Sequence, residues 1–322
     1  MTRGDNRPMV LPGTVSVERK TLAHHLGKLH KVFAVRDIQA RRLKAADVVE
    51  YYDQCFDAYR KYHSEEGAVH MALNEGGRFD PAGFHGQPRR IEASWPTPPA
   101  AVLELAFGHG FNLEDLARRH PATSFHGIDL TPVHVQATTA RMQTAGLSNY
   151  ELRMGDFHDL PYPDATFDHL WCIEAFCYAT DLDRALREAA RVLKPGGSFS
   201  LFDGYLPRHP KLLDADEALA VELVAKGMAI DHLQVQEELI AHAEQVGLHA
   251  VQVTVLDEQV MPSLQKLETL TGRVIRWPWL GRRALASRPE MRGRNVLAGY
   301  LMRTTVALGL IGYRHIVLKK QD

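Results

Sequence analysis

Four carboxylates stand at the ends of apolar runs in this chain: Glu104, Asp129, Asp156 and Glu174. Glu104 belongs to Val102-Leu-Glu-Leu-Ala-Phe-Gly-His-Gly110, where the run gives way to Gly108 and Gly110. Glycine lets a chain turn sharply and lets a ligand touch backbone. A carboxylate just before such a turn would repel a pyrophosphate held at the following helix N-terminus. It suits a ligand with a cationic amino acid portion. His109, between the glycines, is placed to position a substrate oxygen or act as a base. Asp129 follows the glycine turn by about 20 residues, the spacing that puts a carboxylate on a ribose.

These side chains need elements to hold them. Ala100 to Leu105 reads as a buried strand, and Asn112 as the N-cap of a helix with Glu114 and Asp115 in its first turn. Leu113, Leu116 and Ala117 share one helical face. Residues 125–130 form a second strand. Thr131-Pro132 then starts a helix, with proline at its first position, that runs to Gly146. Residues 150–157 and 167–174 are predicted as the third and fourth strands. Asp181 caps a helix that Lys194-Pro-Gly-Gly197 stops, and residues 198–203 form a fifth strand. Helical patterns cover 212–226 and 234–246, a sixth strand 249–256, and a closing strand 313–319. Alternating strands and helices predict a doubly wound α/β sheet, which binds ligands outside the carboxyl ends of its strands.

S-adenosylmethionine carries an ammonium, a sulfonium and no phosphate. At Glu104, Gly108 and Gly110 the sequence resembles the class I S-adenosylmethionine-dependent methyltransferases, with Ala106 where that family usually has its first glycine. Arg191-Val-Leu-Lys-Pro-Gly-Gly197 is similar to the same family's helix stop. Ile173-Glu-Ala175 looks like the sterol and terpenoid C-methyltransferases. The resemblance implies a seven-stranded Rossmann-like sheet that binds S-adenosylmethionine through Glu104, Ala106, Gly108, Gly110, Asp129, Leu130, Asp156 and Phe157. Asp156 would then hold the adenine amino group, and Phe157 would cover the ring. It also implies an N-terminal helix closing over the cofactor and Glu174 beside the transferring methyl.

Methylating an alkene carbon creates a cation that needs a base and π surroundings. The expected function is therefore methyl transfer to a hydrophobic terpenoid- or sterol-like small molecule of secondary metabolism. Glu174 is expected to be catalytic, with Tyr51, Tyr178 and Tyr205 in the substrate pocket. Three alternatives stay open. The first is O- or N-methylation of a natural product with His109 as base. The second is a methyltransferase fold repurposed as a cyclase. The third is a binding protein that has lost the cofactor, with Ala106 as the first sign.

Composition sets bounds. A net charge of −1 over 322 residues argues against a nucleic-acid partner. Cys55, Cys172 and Cys177 fit neither a disulfide framework nor a zinc site, and the scattered histidines suggest no metal. A reducing cytoplasm is expected, since the first residues lack a signal-peptide core. The apolar stretch 296–311 is broken by Arg303 and reads as a packed helix. Residues 281–295 hold five arginines against Glu290, which suits a solvated loop, an anionic membrane surface or a phosphorylated substrate. Residues 1–15 read as a flexible tail, 16–95 as a helical cap, 96–256 as the core, 257–311 as a substrate lid and 312–322 as the closing strand.

Overall fold

The computed structural model describes residues 12–321. Seven strands form one sheet: β1 (Ala101–Leu105), β2 (Ser124–Asp129), β3 (Tyr150–Met154), β4 (Phe167–Ile173), β5 (Leu193–Tyr205), β6 (Leu248–Val255) and β7 (Gly312–Lys320). Their order is β3-β2-β1-β4-β5-β7-β6. β1 to β5 run parallel, and β7 pairs antiparallel with both β5 and β6. The strand order reverses between β1 and β4. At that switch point the loops after the two strands diverge to opposite faces and leave a crevice.

Strand burial follows from this topology. β1 and β4 are buried along nearly their whole length, as inner strands covered on both faces must be. On the helix side, α5 (Phe111–Arg119), α6 (Pro132–Thr144) and α7 (Leu182–Val192) connect successive strands. Leu113, Leu116 and Ala117 of α5 are buried, as their shared face requires. The N-cap of α5 is Gly110 rather than Asn112. Asn112 lies inside the first turn, where its buried side chain bonds His70 at 3.0 Å instead of capping. Asp181 caps α7 by accepting from the Arg184 N–H at 2.9 Å. Arg191 ties the end of α7 to Glu188, Asp164 and the carbonyls of Leu160 and Tyr162. The Lys194-Pro-Gly-Gly turn lies within β5, which begins at Leu193 and carries the register shift opposite Phe167 and His169. β3 ends at Met154, short of Asp156, because the Gly155 N–H turns to the Asp129 carbonyl.

The N-terminal part is α1 (Pro12–Val32), α2 (Val35–Ala40), α3 (Ala45–Ala58) and α4 (Gly86–Ala93). The tail expected over 1–15 lies mostly outside the described residues, and its last part, from Pro12, is helical. The helical cap expected over 16–95 opens with three helices. They are broken at residues 33–34 and 41–44, and α3 continues into a wider π-helical turn over Tyr59–His63. After β5 come α8 (Ala215–Gly227) and α9 (Gln236–Gln245). α8 starts three residues later than its pattern suggests, because Asp214 caps it reciprocally with Glu217.

Residues 257–311 fold largely into α10 (Asp257–Ile275), α11 (Pro278–Ala286) and α12 (Glu290–Ala307). α12 packs on α10, α8, α1 and α3, which joins the N-terminal and late helices into one layer. Arg303 explains why so apolar a stretch can carry a cation. Its guanidinium bonds Glu268 of α10 at 2.5 Å and Glu18 of α1 at 3.3 Å. No helix among the described residues is long and apolar enough to cross a membrane. No group of three or more His, Cys, Asp or Glu among them could hold a metal ion.

Candidate active site

A cavity of about 400 Å³ lies over the carboxyl ends of β1, β2, β3 and β4. Its floor is Ala106, Gly108, Asp129, Leu130, Asp156, Phe157 and Glu174. Its roof comes from α3, α8, α10 and α12, and is mostly carbon.

The floor begins at the turn after β1. Ala106, Gly108 and Gly110 all have positive φ, at 58°, 55° and 72°. Two of the three positions are glycine, which takes this conformation without strain. Ala106 holds it with a methyl group, anchored by its N–H to the Ile128 carbonyl at 2.7 Å. A side chain at Gly108 would also crowd Val69, 3.1 Å from the place of its Cβ. Asp129 closes the turn. It accepts from the Gly108 N–H and the Thr131 N–H, each at 2.8 Å, and faces His134 Nδ1 at 3.2 Å. A carboxylate offers about four lone-pair sites, so capacity remains for a ligand hydroxyl. Asp156 bonds His158 through its ring at 2.5 Å and its N–H at 2.9 Å, and that bonding holds its carboxyl below the ordinary value. Leu130 and Phe157 supply the apolar faces between these acids.

Glu174, just after β4, has a φ of 50°, in the left-handed region that residues other than glycine seldom occupy. Such strain costs on the order of 1–3 kcal/mol and persists only where the surroundings impose it. Three bonds do so here. The Glu174 N–H donates to the Phe202 carbonyl at 2.7 Å, while Met71 N–H and Tyr313 O–H each donate to its Oε1 at 2.7 Å. Oε2 carries no hydrogen bond among the described residues, and the residue borders the cavity. Burial pushes the carboxyl up to about 8. Asp203, also on the wall, is raised to about 6 by burial, although the Cys177 and Gly204 N–H groups bond it.

Tyrosines line the opposite side. Tyr51 bonds Tyr59 through their hydroxyls at 2.8 Å. Tyr52 donates to Tyr178 at 3.3 Å, and Tyr178 donates to the Met228 carbonyl at 2.8 Å. With these hydroxyls engaged, the three tyrosines on the cavity wall, Tyr51, Tyr52 and Tyr178, add aromatic carbon to it.

Four expected site residues do not reach the cavity wall. Glu104 lies behind the glycine turn, almost fully buried and bonded by Asn112 at 3.4 Å, and burial raises its carboxyl to about 8. Gly110 is one turn further back, under Thr138. His109 is buried between Phe56 and His134, at ring-centroid distances of 4.3 and 5.2 Å, with both ring nitrogens unpartnered. Burial lowers its pKa to about 3. Tyr205 is sealed in the sheet core, because the last residue of β5 points beneath the cavity and not into it. Cys172 and Cys177 are free, buried thiols.

Sequence reasoning missed Tyr313, which fixes Glu174, and His134, which faces Asp129. No local pattern announces Tyr313, 139 residues from its partner. His134 had a faint signal: it follows Asp129 by one helical turn plus the cap.

With this geometry in place, the chain can be set beside known proteins. Residues 102–197 match a family described as a methyltransferase domain. A 24-methylenesterol C-methyltransferase 2 of Oryza sativa subsp. japonica is 29% identical over 182 residues, 56% of this chain and 49% of that protein. The matched part thus spans about half the length of that relative. Methyltransferase GfsG of Streptomyces halstedii is 27% identical over 226 residues, 67% of this chain and 78% of its own. Among solved structures, the [4+2]-cyclase SpnF superposes with a TM-score of 0.69 at 19% identity, covering 85% of this chain and 96% of its own. Residues 102–197 thus carry a methyltransferase domain, and the cofactor to set against the floor is the S-adenosylmethionine that the sequence resemblance implies.

The floor residues fit that cofactor. An acid at the end of β2, a second acid after β3 and apolar neighbours beside both match a ribose and an adenine. Among the described residues, no cluster of cationic side chains waits on the floor for a phosphate.

Proposed function

We propose that the protein transfers a methyl group from S-adenosylmethionine to a carbon of a hydrophobic, terpenoid- or sterol-like small molecule, with Glu174 as the base. The observation that carries this reading is Glu174 itself. It is a strained acid at the switch point, held by two donors on Oε1, raised by burial and facing a cavity whose far wall is apolar and aromatic. The sterol C-methyltransferase relative supports it. Asp129, Leu130, Asp156 and Phe157 would hold the ribose and adenine, with Ala106 and Gly108 against the methionine end. Glu104 would support the turn from behind, through its bond from Asn112.

When bound, the cofactor supplies an electrophilic methyl on a sulfonium. The chain's own part is placement, exclusion of water and control of a proton. When an alkene carbon of the acceptor gains the methyl, its neighbour is left positive. The faces of Tyr51, Tyr52 and Tyr178 stabilise that charge. The Glu174 carboxylate then takes a proton from the adjacent carbon, the C–H electron pair re-forms the double bond, and Tyr313 keeps the acid aimed. In this reading residues 16–95 are the cap, 96–256 the cofactor core and 257–311 the acceptor lid.

The test is single-turnover transfer from isotopically labelled cofactor to a panel of sterol, isoprenoid and polyketide acceptors, with product masses recorded. Label in an apolar product from wild type, lost in Glu174→Gln while cofactor binding is kept, supports the proposal. A product of unchanged mass would instead indicate a cyclase, the activity named for SpnF.

A further inference from the structure

The charge of this chain is unevenly spread. Its net is −1, yet residues 273–294 carry seven arginines against a single acid, Glu290. That acid is already engaged by Arg41 and Arg294. Arg273, Arg276, Arg283, Arg288 and Arg292 form no ion pair among the described residues, and all but Arg292 are exposed.

At the centre of this patch stand the largest exposed aromatic side chains of the structure. Trp277 is 57% exposed, Trp279 68% and Leu280 45%. They occupy the start of α11, with Pro278 at its first position fixing the turn out of α10. Arg276 lies over the Trp277 ring, 5.7 Å from its centroid. Water is a poor solvent for two neighbouring indoles and a leucine, and exposed apolar groups clustered in this way mark an interaction surface. Indoles rimmed by arginines suit the boundary of a bilayer, where the rings lie at headgroup depth and the guanidinium groups meet lipid phosphates.

The patch also adjoins the cavity. Arg273, Arg288 and Arg292 are on its wall, and two of them are exposed, so the cavity reaches the surface beside α11. We propose that the start of α11 docks on an anionic lipid bilayer through Trp277, Trp279 and Leu280, ringed by arginines. This holds the cavity mouth against the membrane, from which an apolar acceptor enters. The docking stands on the surface alone, and only the entrance of the acceptor rests on the function proposed above.

The experiment uses the full chain without any acceptor, so its outcome is independent of methyl transfer. The protein is floated with vesicles of phosphatidylcholine, and with vesicles that also contain phosphatidylglycerol. Fluorescence quenching by bromine-labelled acyl chains is then recorded. Of four tryptophans only Trp277 and Trp279 are exposed, so quenching reports on them. Expected are flotation with the anionic vesicles only, loss of binding at high salt, and quenching by bromine. The double substitution Trp277→Ser with Trp279→Ser should lower partitioning at least about tenfold. Arg276→Glu with Arg283→Glu should do the same. Both pairs are on the surface, and an unchanged melting temperature confirms that folding is intact. Absence of flotation would overturn the proposal. So would equal binding to neutral vesicles, undiminished binding by both double variants, or binding without bromine quenching that RNA displaces, which would mark a general polyanion site.

Discussion

On the strand side of the cavity each carboxylate already has a partner, whereas on the helix side most of the wall is carbon. Asp129 is held by two backbone N–H groups, Asp156 by His158, and Glu174 by Met71 and Tyr313. Facing them, Val260, Leu264, Leu267 and Val306 offer surface without direction. Oriented polar groups recognise one ligand by its hydrogen bonds, while an apolar wall recognises volume and excludes water. In the function proposed here the floor is therefore specific for the cofactor and the roof permissive toward acceptors. Glu174 stands where the two meet.

The sharpest way to break that division is Glu174→Gln. The shape stays, but the base is lost, so transfer should fall about 10²–10⁴-fold with cofactor affinity nearly unchanged. Single-turnover kinetics beside a cofactor titration measures both. Because burial raises this carboxyl to about 8, the active carboxylate is the minor form at neutral pH. Wild-type transfer should then climb as pH rises through about 8, and the variant should lose that limb. A pH-independent rate would remove Glu174 from proton transfer.

Asp129→Ala addresses the floor. It removes the acceptor of the Gly108 and Thr131 N–H groups along with any ribose bond. At about 0.5–1.5 kcal/mol for each net bond, more for a charged acceptor, cofactor affinity should drop roughly tenfold to a hundredfold. Calorimetry showing undiminished binding would take Asp129 out of the cofactor site.

In the turn after β4, where the floor meets the roof, Tyr178→Phe keeps the ring and loses two hydroxyl bonds. Transfer should change by less than about tenfold, whereas Tyr178→Ala should cost clearly more, and neither should alter cofactor affinity. Equal effects of the two variants would show that the hydroxyl, and not the ring, is what the site uses.

The smallest effect is expected at Ala106. Its φ of 58° costs an alanine about 1 kcal/mol relative to glycine. Ala106→Gly should therefore raise stability in denaturant by up to about that amount, with affinity for the cofactor equal or better. A destabilised variant would show that the methyl packs usefully in the turn.

The same division explains what was legible in the sequence. The strand-side motif is local: Glu104 to Gly110, Asp129 and Asp156 each follow an apolar run, so period and spacing place them. The seven-stranded sheet followed from those runs. The ties between floor and helices depend on pairs far apart in the chain, such as Met71 and Tyr313 on Glu174, as do those within the helix layer, such as Arg303 on Glu18, and no short pattern encodes them. Helix starts were misread by a few residues where a cap was chosen by geometry. Asn112 has the side chain of an N-cap, but Gly110 has the backbone for it. His109 and Tyr205 were expected in the site because sequence neighbours face it. The tight turn and the alternation of β5 point both side chains into the core instead.

The central claim is that an apolar acceptor receives the methyl on carbon. The most direct test is NMR of the product formed from cofactor carrying a 13C-methyl group and the acceptor that the mass screen selects. The account predicts one labelled methyl in the aliphatic or vinylic C–CH3 region, coupled to an acceptor carbon, and absent from Glu174→Gln. A label in the O–CH3 or N–CH3 region, or no labelled product from protein that binds the cofactor, would contradict it.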